Sequence, residues 1–201
     1  MKTILRLTIL AALLSSIILI HSSLNAGSSS IKDYNLRDTT IKVIWREDVL
    51  DKDLKEKVNS IKLNENYFAN ISDPEKAVLG YLASTIGNEC YSDGSKSNIK
   101  CKILSALNLG YQCSEANKTF LRGWFKDNPQ ILSRIENCKP KPTSPVVEKT
   151  FDEVTVSTKG DMVKVNVKGL ILDFKENTTR RWTEDMSFKV NEDKMSLLDN
   201  K

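Results

Sequence analysis

Between residues 113 and 138 the apolar positions fall on two helical faces. Ala116, Phe120, Leu121, Trp124 and Phe125 recur at the spacing of one buried stripe, and Ile131, Leu132 and Ile135 do so again after a break at Asp127-Asn128-Pro129. Asn128 suits an N-cap and Pro129 the first helical position, so one helix stops and another starts at once. A connection this short favours an antiparallel pair. Cys113, ahead of the first helix, is then brought close to Cys138, behind the second.

The same reading upstream predicts further elements. Ser72-Asp73-Pro74-Glu75 places a capping residue, a first-turn proline and an acid in succession, and Ala77, Val78, Tyr81, Leu82 and Ile86 form the face of the helix that follows, with Cys90 one turn further on. Residues 91–98 are dense in turn formers, and a third pattern, Ile99, Ile103, Leu104 and Leu107, closes at Gly110 with Cys101 in its first turn. This predicts a second hairpin cross-linked across its loop. Residues 40–45 alternate and predict a short strand. Leu50, Leu54, Val58 and Ile61, spaced by four, four and three, predict an amphipathic helix over residues 48–63. Asp48, Asp51 and Asp53 read there as helix-start acids rather than a calcium loop, whose glycine and distal glutamate are missing.

After Cys138 the period changes. Pro140, Pro142 and Pro145 make residues 139–149 an extended connector. Val154 and Val156, then Val163, Val165 and Val167, then Trp182, Glu184, Met186, Phe188 and Val190 alternate with polar residues, separated by turn formers around Gly160 and residues 175–179. Asn191-Glu192-Asp193-Lys194 turns once more into Met195 to Leu198, and Gly169 marks a bulge or bend. The expected fold is α+β, with N-terminal disulfide-linked helical hairpins over residues 27–138 followed by a C-terminal three- to four-stranded antiparallel β-meander over residues 150–201. The meander packs on the helices, and residues 40–45 are a candidate extra strand.

Residues 1–26 change this picture in two ways. Lys2 and Arg6, an uncharged apolar run from Leu7 to Ile20 and a small residue at Ala26 have the form of a signal peptide, with an apolar run too short to serve as a membrane anchor. Its removal leaves no transmembrane segment. The formal net charge of +4 then falls to +2, which gives no argument for a nucleic-acid partner. The single histidine, His21, departs as well, so neither a Ser-His-Asp or Cys-His nucleophile nor a histidine-bearing zinc site is available. In an exported chain the four cysteines pair; of three connectivities, Cys90 with Cys101 and Cys113 with Cys138 is the one the hairpins favour. A four-cysteine metal site lacks the close pairs of a zinc ligand set, and no cofactor motif is present.

Four candidates for function remain. Lys118, Arg122 and Lys126, four apart, form a basic stripe that could meet an anionic partner, against the plainer reading of a solvated helix face. Phe120, Trp124 and Phe125 could line a pocket for a small apolar ligand, although their spacing is that of core packing. Glu89 and Glu184 are the carboxylates best placed for acid-base work, as in glycoside hydrolysis. Asn70, Asn117 and Asn177 head Asn-X-Ser/Thr triplets, with Asn177 in a predicted turn. The expected role is binding or interaction in the extracellular or envelope space, with an exported protein or a glycan as partner, including inhibition of another exported protein. A carboxylate-dependent glycan hydrolase and a carrier of a small apolar ligand are the alternatives. Intact-mass analysis of exported material is expected to find a chain beginning near Gly27, and a dominant species that keeps Leu7 to Ile20 would contradict this.

Overall fold

The computed structural model describes residues 36–51, 53, 55–87, 99–138 and 146–200. Two strands come first, β1 (Leu36–Asp51) and β2 (Glu56–Leu63), then five helices, α1 (Glu65–Ala69), α2 (Asp73–Thr85), α3 (Ile99–Ala106), α4 (Glu115–Trp124) and α5 (Pro129–Glu136). Four strands close the chain: β3 (Val147–Gly160), β4 (Met162–Asp173), β5 (Thr178–Asn191) and β6 (Lys194–Asn200). All six strands form one antiparallel sheet in the order β2-β1-β3-β4-β5-β6.

This corrects the expected N-terminal block of helical hairpins. The helices follow the first two strands, and the β1–β2 hairpin lies in the same sheet as the meander, on its β3 side. The helix expected over residues 48–63 does not exist. β1 runs on to Asp51, a turn follows in which Asp51 Oδ1 accepts from the Asp53 amide at 2.9 Å, and β2 returns with Val49 opposite Val58 and Ile44 opposite Leu63. The apolar spacing that suggested a helix was partly accidental. Leu50 is 63% exposed, whereas Ile61 and Leu63, two apart, pack on the core as a strand requires. An Asp side chain that bonds its own backbone two residues on stabilises a turn, here inside the segment expected to be helical.

The other predicted helices form, and α2, α4 and α5 start where their caps placed them; α2 stops at Thr85, short of Cys90, and α3 at Ala106, ahead of Gly110. Ser72 and Glu75 make the reciprocal capping box of α2, and the side chains of Ser114 and Asn128 accept from Asn117 N and Ile131 N to cap α4 and α5. Cys113 and Cys138 bracket α4 and α5 and are joined, with Cα atoms 5.6 Å apart. That bridge closes 25 residues of sequence and in the chain-entropy picture stabilises by about 3 kcal/mol. Cys101 is also disulfide-bonded. Its expected partner, Cys90, lies outside the described residues, as do residues 1–35 and residues 139–145 of the expected connector; the end of that connector is strand instead, since β3 begins at Val147 rather than at residue 150.

One face of the sheet carries Val154, Val156, Val163, Val165, Val167, Met186, Phe188 and Val190, all buried under the helices. α2 is the centre of the helical layer and is buried nearly all round, from Ala77 through Ser84. Tyr81 of α2, Phe125 after α4 and Phe188 of β5 meet in a ring cluster with centroids 5.3 to 6.0 Å apart. At the far end of β4, Gly169 holds a different contact. The β3 strand bulges opposite it, between Phe151 and Glu153, and the Trp182 indole lies across the gap, its Nε1 donating to Thr150 O at 3.1 Å and to Leu170 O at 3.3 Å. A Cβ on Gly169 would stand 1.9 Å from Thr150 O and 2.5 Å from Trp182 Nε1. Gly169→Ala is therefore expected to destabilise by about 3 kcal/mol in urea unfolding, the upper part of the overpacking range. Gly123→Ala, in α4 with nothing within 4 Å of the new Cβ, is expected to stabilise by up to about 1 kcal/mol.

Candidate ligand-binding cleft

The features singled out from the sequence are for the most part engaged by the fold itself. Each cation of the stripe has a carboxylate: Lys118 meets Glu115 at 2.7 Å, Arg122 meets Glu136 at 2.5 Å and Glu115 at 3.6 Å, and Lys126 meets Asp193 at 2.6 Å. Lys194 answers with Asp127 at 2.7 Å, so the turn after α4 and the β5–β6 turn are tied by two crossed ion pairs. Trp124 and Phe125 are buried in the core and Phe120 packs against it, with Lys76 Nζ 5.2 Å from its ring centroid. Glu184 lies on the inner face of β5, as the alternation requires, and is held by Lys149 Nζ at 3.1 Å; the same ammonium stands 3.8 Å from the Trp182 ring centroid. Glu89 lies outside the described residues. Asn117 is fully buried, so its triplet is closed to modification in the folded chain, whereas Asn70 and Asn177 are exposed.

A different site is built where β1 begins. The register of β1 on β3 jumps between Leu36 and Thr39, so that Arg37 and Asp38 bulge out of the ladder. Polar groups fix the bulge: the Thr158 hydroxyl donates to Arg37 O, Gly160 N donates to Asp38 Oδ1 at 3.2 Å, and the Thr39 and Thr158 hydroxyls are 3.0 Å apart. Facing it is α1, a single turn pinned to the sheet because Asn64 N donates to Val43 O at 2.9 Å while the Asn64 side chain accepts from Tyr67 N at 3.1 Å. Between them lies a cleft of about 580 Å³ lined by Leu36, Arg37, Thr39, Ile41, Asn66, Tyr67, Asn70, Ser72, Glu75 and Thr158.

Tyr67 sets this cleft apart. It is 8% exposed, and its hydroxyl is buried with no hydrogen-bond partner. Burial drives the phenol's pKa far above its ordinary value, and the neighbouring Glu75 carboxylate pushes it further in the same direction. Glu75 is close enough for its carboxylate to act on the phenol, but its Oε2 is taken by the Ser72 amide and hydroxyl in the capping box, and no contact of ordinary hydrogen-bond geometry joins it to Tyr67. Asn70 Nδ2 donates to Asn66 O at 2.9 Å and to Asn66 Oδ1 at 3.1 Å. A second hollow of about 530 Å³, around Thr40, Ser157 and Lys164, contains no such unpaired buried group among the described residues; its Thr40 and Ser157 hydroxyls bond each other at 3.0 Å.

Of these cleft residues only Asn70 stands out in the sequence, and there as the head of an Asn-X-Ser triplet rather than as a ligand-binding residue. The signal available was weak: an asparagine-rich run, Asn64-Glu65-Asn66-Tyr67-Phe68-Ala69-Asn70, with two adjacent aromatics and no apolar periodicity. Among the described residues no group of three or more Cys, His, Asp or Glu side chains could hold a metal, and no helix is long and apolar enough to cross a membrane. Compared with known proteins, the chain matches no family model, no curated protein and no solved structure.

The ion pairs give a pH dependence. Glu153, in the middle of β3, accepts from Lys42 at 2.5 Å and Lys168 at 2.9 Å, which holds its carboxyl below the ordinary value. Glu115, Glu136 and Asp193 are lowered for the same reason by Lys118, Arg122 and Lys126. Near pH 4 the unfolded chain therefore binds more protons than the folded one, and the stabilisation, fully present above the ordinary carboxylate range, is lost as pH falls through the lowered values. The urea midpoint is expected to be flat near neutrality and to drop between about pH 5 and pH 3, with Glu153→Gln shallower than the parent chain. A midpoint that rises on acidification would contradict the pairing.

Proposed function

We propose that this chain is an exported binding protein that takes a small polar ligand in the cleft between the β1 bulge and α1. The observation that carries this reading is the Tyr67 hydroxyl, buried beside the cleft with no partner. An unsatisfied buried hydroxyl costs on the order of 1–3 kcal/mol, and a ligand that supplies its missing hydrogen bond offsets that cost. The cleft falls within the size range of small-molecule sites, combines apolar and convergent polar groups, and uses a strand bulge to aim them. Export is supported by the form of residues 1–26 and by the disulfide joining Cys113 to Cys138.

Binding is preferred to hydrolysis because Glu184 is committed to Lys149 and would have to give up that contact to act as acid or nucleophile. The aromatic residues of α4 give little support to an apolar carrier, since Trp124 and Phe125 are consumed by core packing. The test is a screen of small polar fragments against the backbone-assigned mature chain by amide chemical shifts, alongside turnover assays on common polysaccharides for the parent chain and Glu184→Gln. Binding shifts are expected to cluster at Thr39, Asn66, Tyr67, Asn70 and Glu75, with no turnover in either protein. Glycan turnover that vanishes in Glu184→Gln with folding retained, or a screen in which no fragment moves the cleft, would overturn the reading.

A further inference from the structure

We propose that the cleft takes a neutral, polyhydroxylated ligand of the saccharide class, recognised by the amides of Asn66 and Asn70 and the phenol of Tyr67. This rests on the cleft being the binding site and adds the chemistry of what it binds. Asn70 spends its Nδ2 on Asn66 O and Asn66 Oδ1, and among the described residues Asn66 Nδ2 and Asn70 Oδ1 take no partner. A neutral donor and a neutral acceptor are thus left on two side chains one helical turn apart. Adjacent sugar hydroxyls, each able both to donate and to accept, match such a pair, and the Tyr67 hydroxyl can serve a third in either sense.

The charges in the cleft argue against the other ligand classes. Among the described residues Arg37 is the one cation lining the cleft, and the Glu75 carboxylate shares it, so an anion would meet repulsion as well as attraction. An apolar ligand would leave the Tyr67 hydroxyl as unpaired as before. An extended peptide would need a regular strand edge. β2 pairs with β1 only from Ile44 onward, but the bulge at Arg37 and Asp38 interrupts the open stretch, and Asn64 already takes Val43 O and Lys42 O. Only Thr39, Thr40 and Ile41 remain as regular edge, too little for strand addition. Leu36 and Ile41 supply the apolar surface against which the C–H face of a sugar ring can rest.

The experiment titrates the assigned mature chain with cellobiose, maltose, lactose and diacetylchitobiose, and separately with glucuronate and with an uncharged tetrapeptide, reading amide shifts and thermal midpoints. At least one neutral disaccharide is expected to move Thr39, Asn66, Tyr67 and Asn70 saturably. Asn66→Ala is expected to weaken that binding about tenfold, the equivalent of one lost hydrogen bond. Tyr67→Phe is expected to weaken it too while raising the thermal midpoint of the free protein, because the unpaired hydroxyl is gone. Saturable shifts with glucuronate or the peptide and with no neutral sugar would overturn the proposal, as would sugar binding that neither variant changes. If polar fragments move the cleft and no sugar does, the ligand class alone is wrong; if neither moves it, the binding reading fails with it.

Discussion

A sheet with one face made of Val154, Val156, Val163, Val165, Val167, Met186 and Phe188 has to be covered, and the chain covers it with a single connection. Every described helix lies between β2 and β3, and because β1 stands between those two strands in the sheet, that connection must leave the sheet at β2 and return to it at β3, on the far side of β1. The helices are thereby confined to one face, and the first of them, α1, is anchored where β2 ends by the bond from Asn64 N to Val43 O. The cleft is a consequence. β1 extends past the start of its pairing with β2, and the α1 turn stands alongside that unpaired stretch rather than over the valine face.

The helical layer shows how polar groups are handled when nothing is to be bound. Ser84 donates to Gly80 O at 2.7 Å, Asn117 Nδ2 donates to Ser84 Oγ at 2.6 Å and Gln112 O at 2.9 Å, and Gln112 Nε2 donates to Ser84 O at 2.8 Å. Lys100, fully buried, donates to Gly87 O and to Gln112 Oε1, each at 3.1 Å. This network joins α2, α3 and α4 through atoms that satisfy one another, and its one unpaired atom, Asn117 Oδ1, belongs to a side chain whose amide nitrogen already makes two bonds. Tyr67 has no such compensation, since its only polar side-chain atom is the unpaired one. Both are buried, and Tyr67 lines the cleft.

What the sequence made legible follows from which physical signals are local. The capping box at Ser72 and Glu75, the Asn128-Pro129 start and the alternation of Val163, Val165 and Val167 are each decided within a few residues, and each element formed where it was expected. The disulfide between Cys113 and Cys138 was legible because it needs only two helices and a short turn. The β1–β2 hairpin was not, because its decision is long-range. Val58 and Ile61 fit a helix face as well as a strand face, and the choice is made by pairing with β1, which is itself held by β3 more than a hundred residues away. The inward face of α4 was misjudged in a smaller way: Ala116 is exposed and the polar Asn117 is buried, a reversal that hydrophobic periodicity cannot anticipate when a hydrogen-bond network claims the position.

The cleft was invisible for a related reason, and that reason bears on how its residues act. Arg37 and Thr39 reach it only through the bulge in β1, Thr158 only through the pairing of β3, and Asn66, Tyr67 and Asn70 only through the α1 turn, so three distant stretches meet without sharing a motif. Elsewhere the conspicuous charges tie elements together: Lys126 with Asp193 and Lys194 with Asp127 bind the helical layer to the β5–β6 turn, and Lys42, Lys168 and Glu153 lace three adjacent strands. A charge spent on such a tie would have to break it to bind a partner. Recognition in the cleft is left to neutral amides and hydroxyls, whose contacts depend on direction rather than reach, and a rigid setting of the kind the bulge and the capped turn provide is what such contacts require.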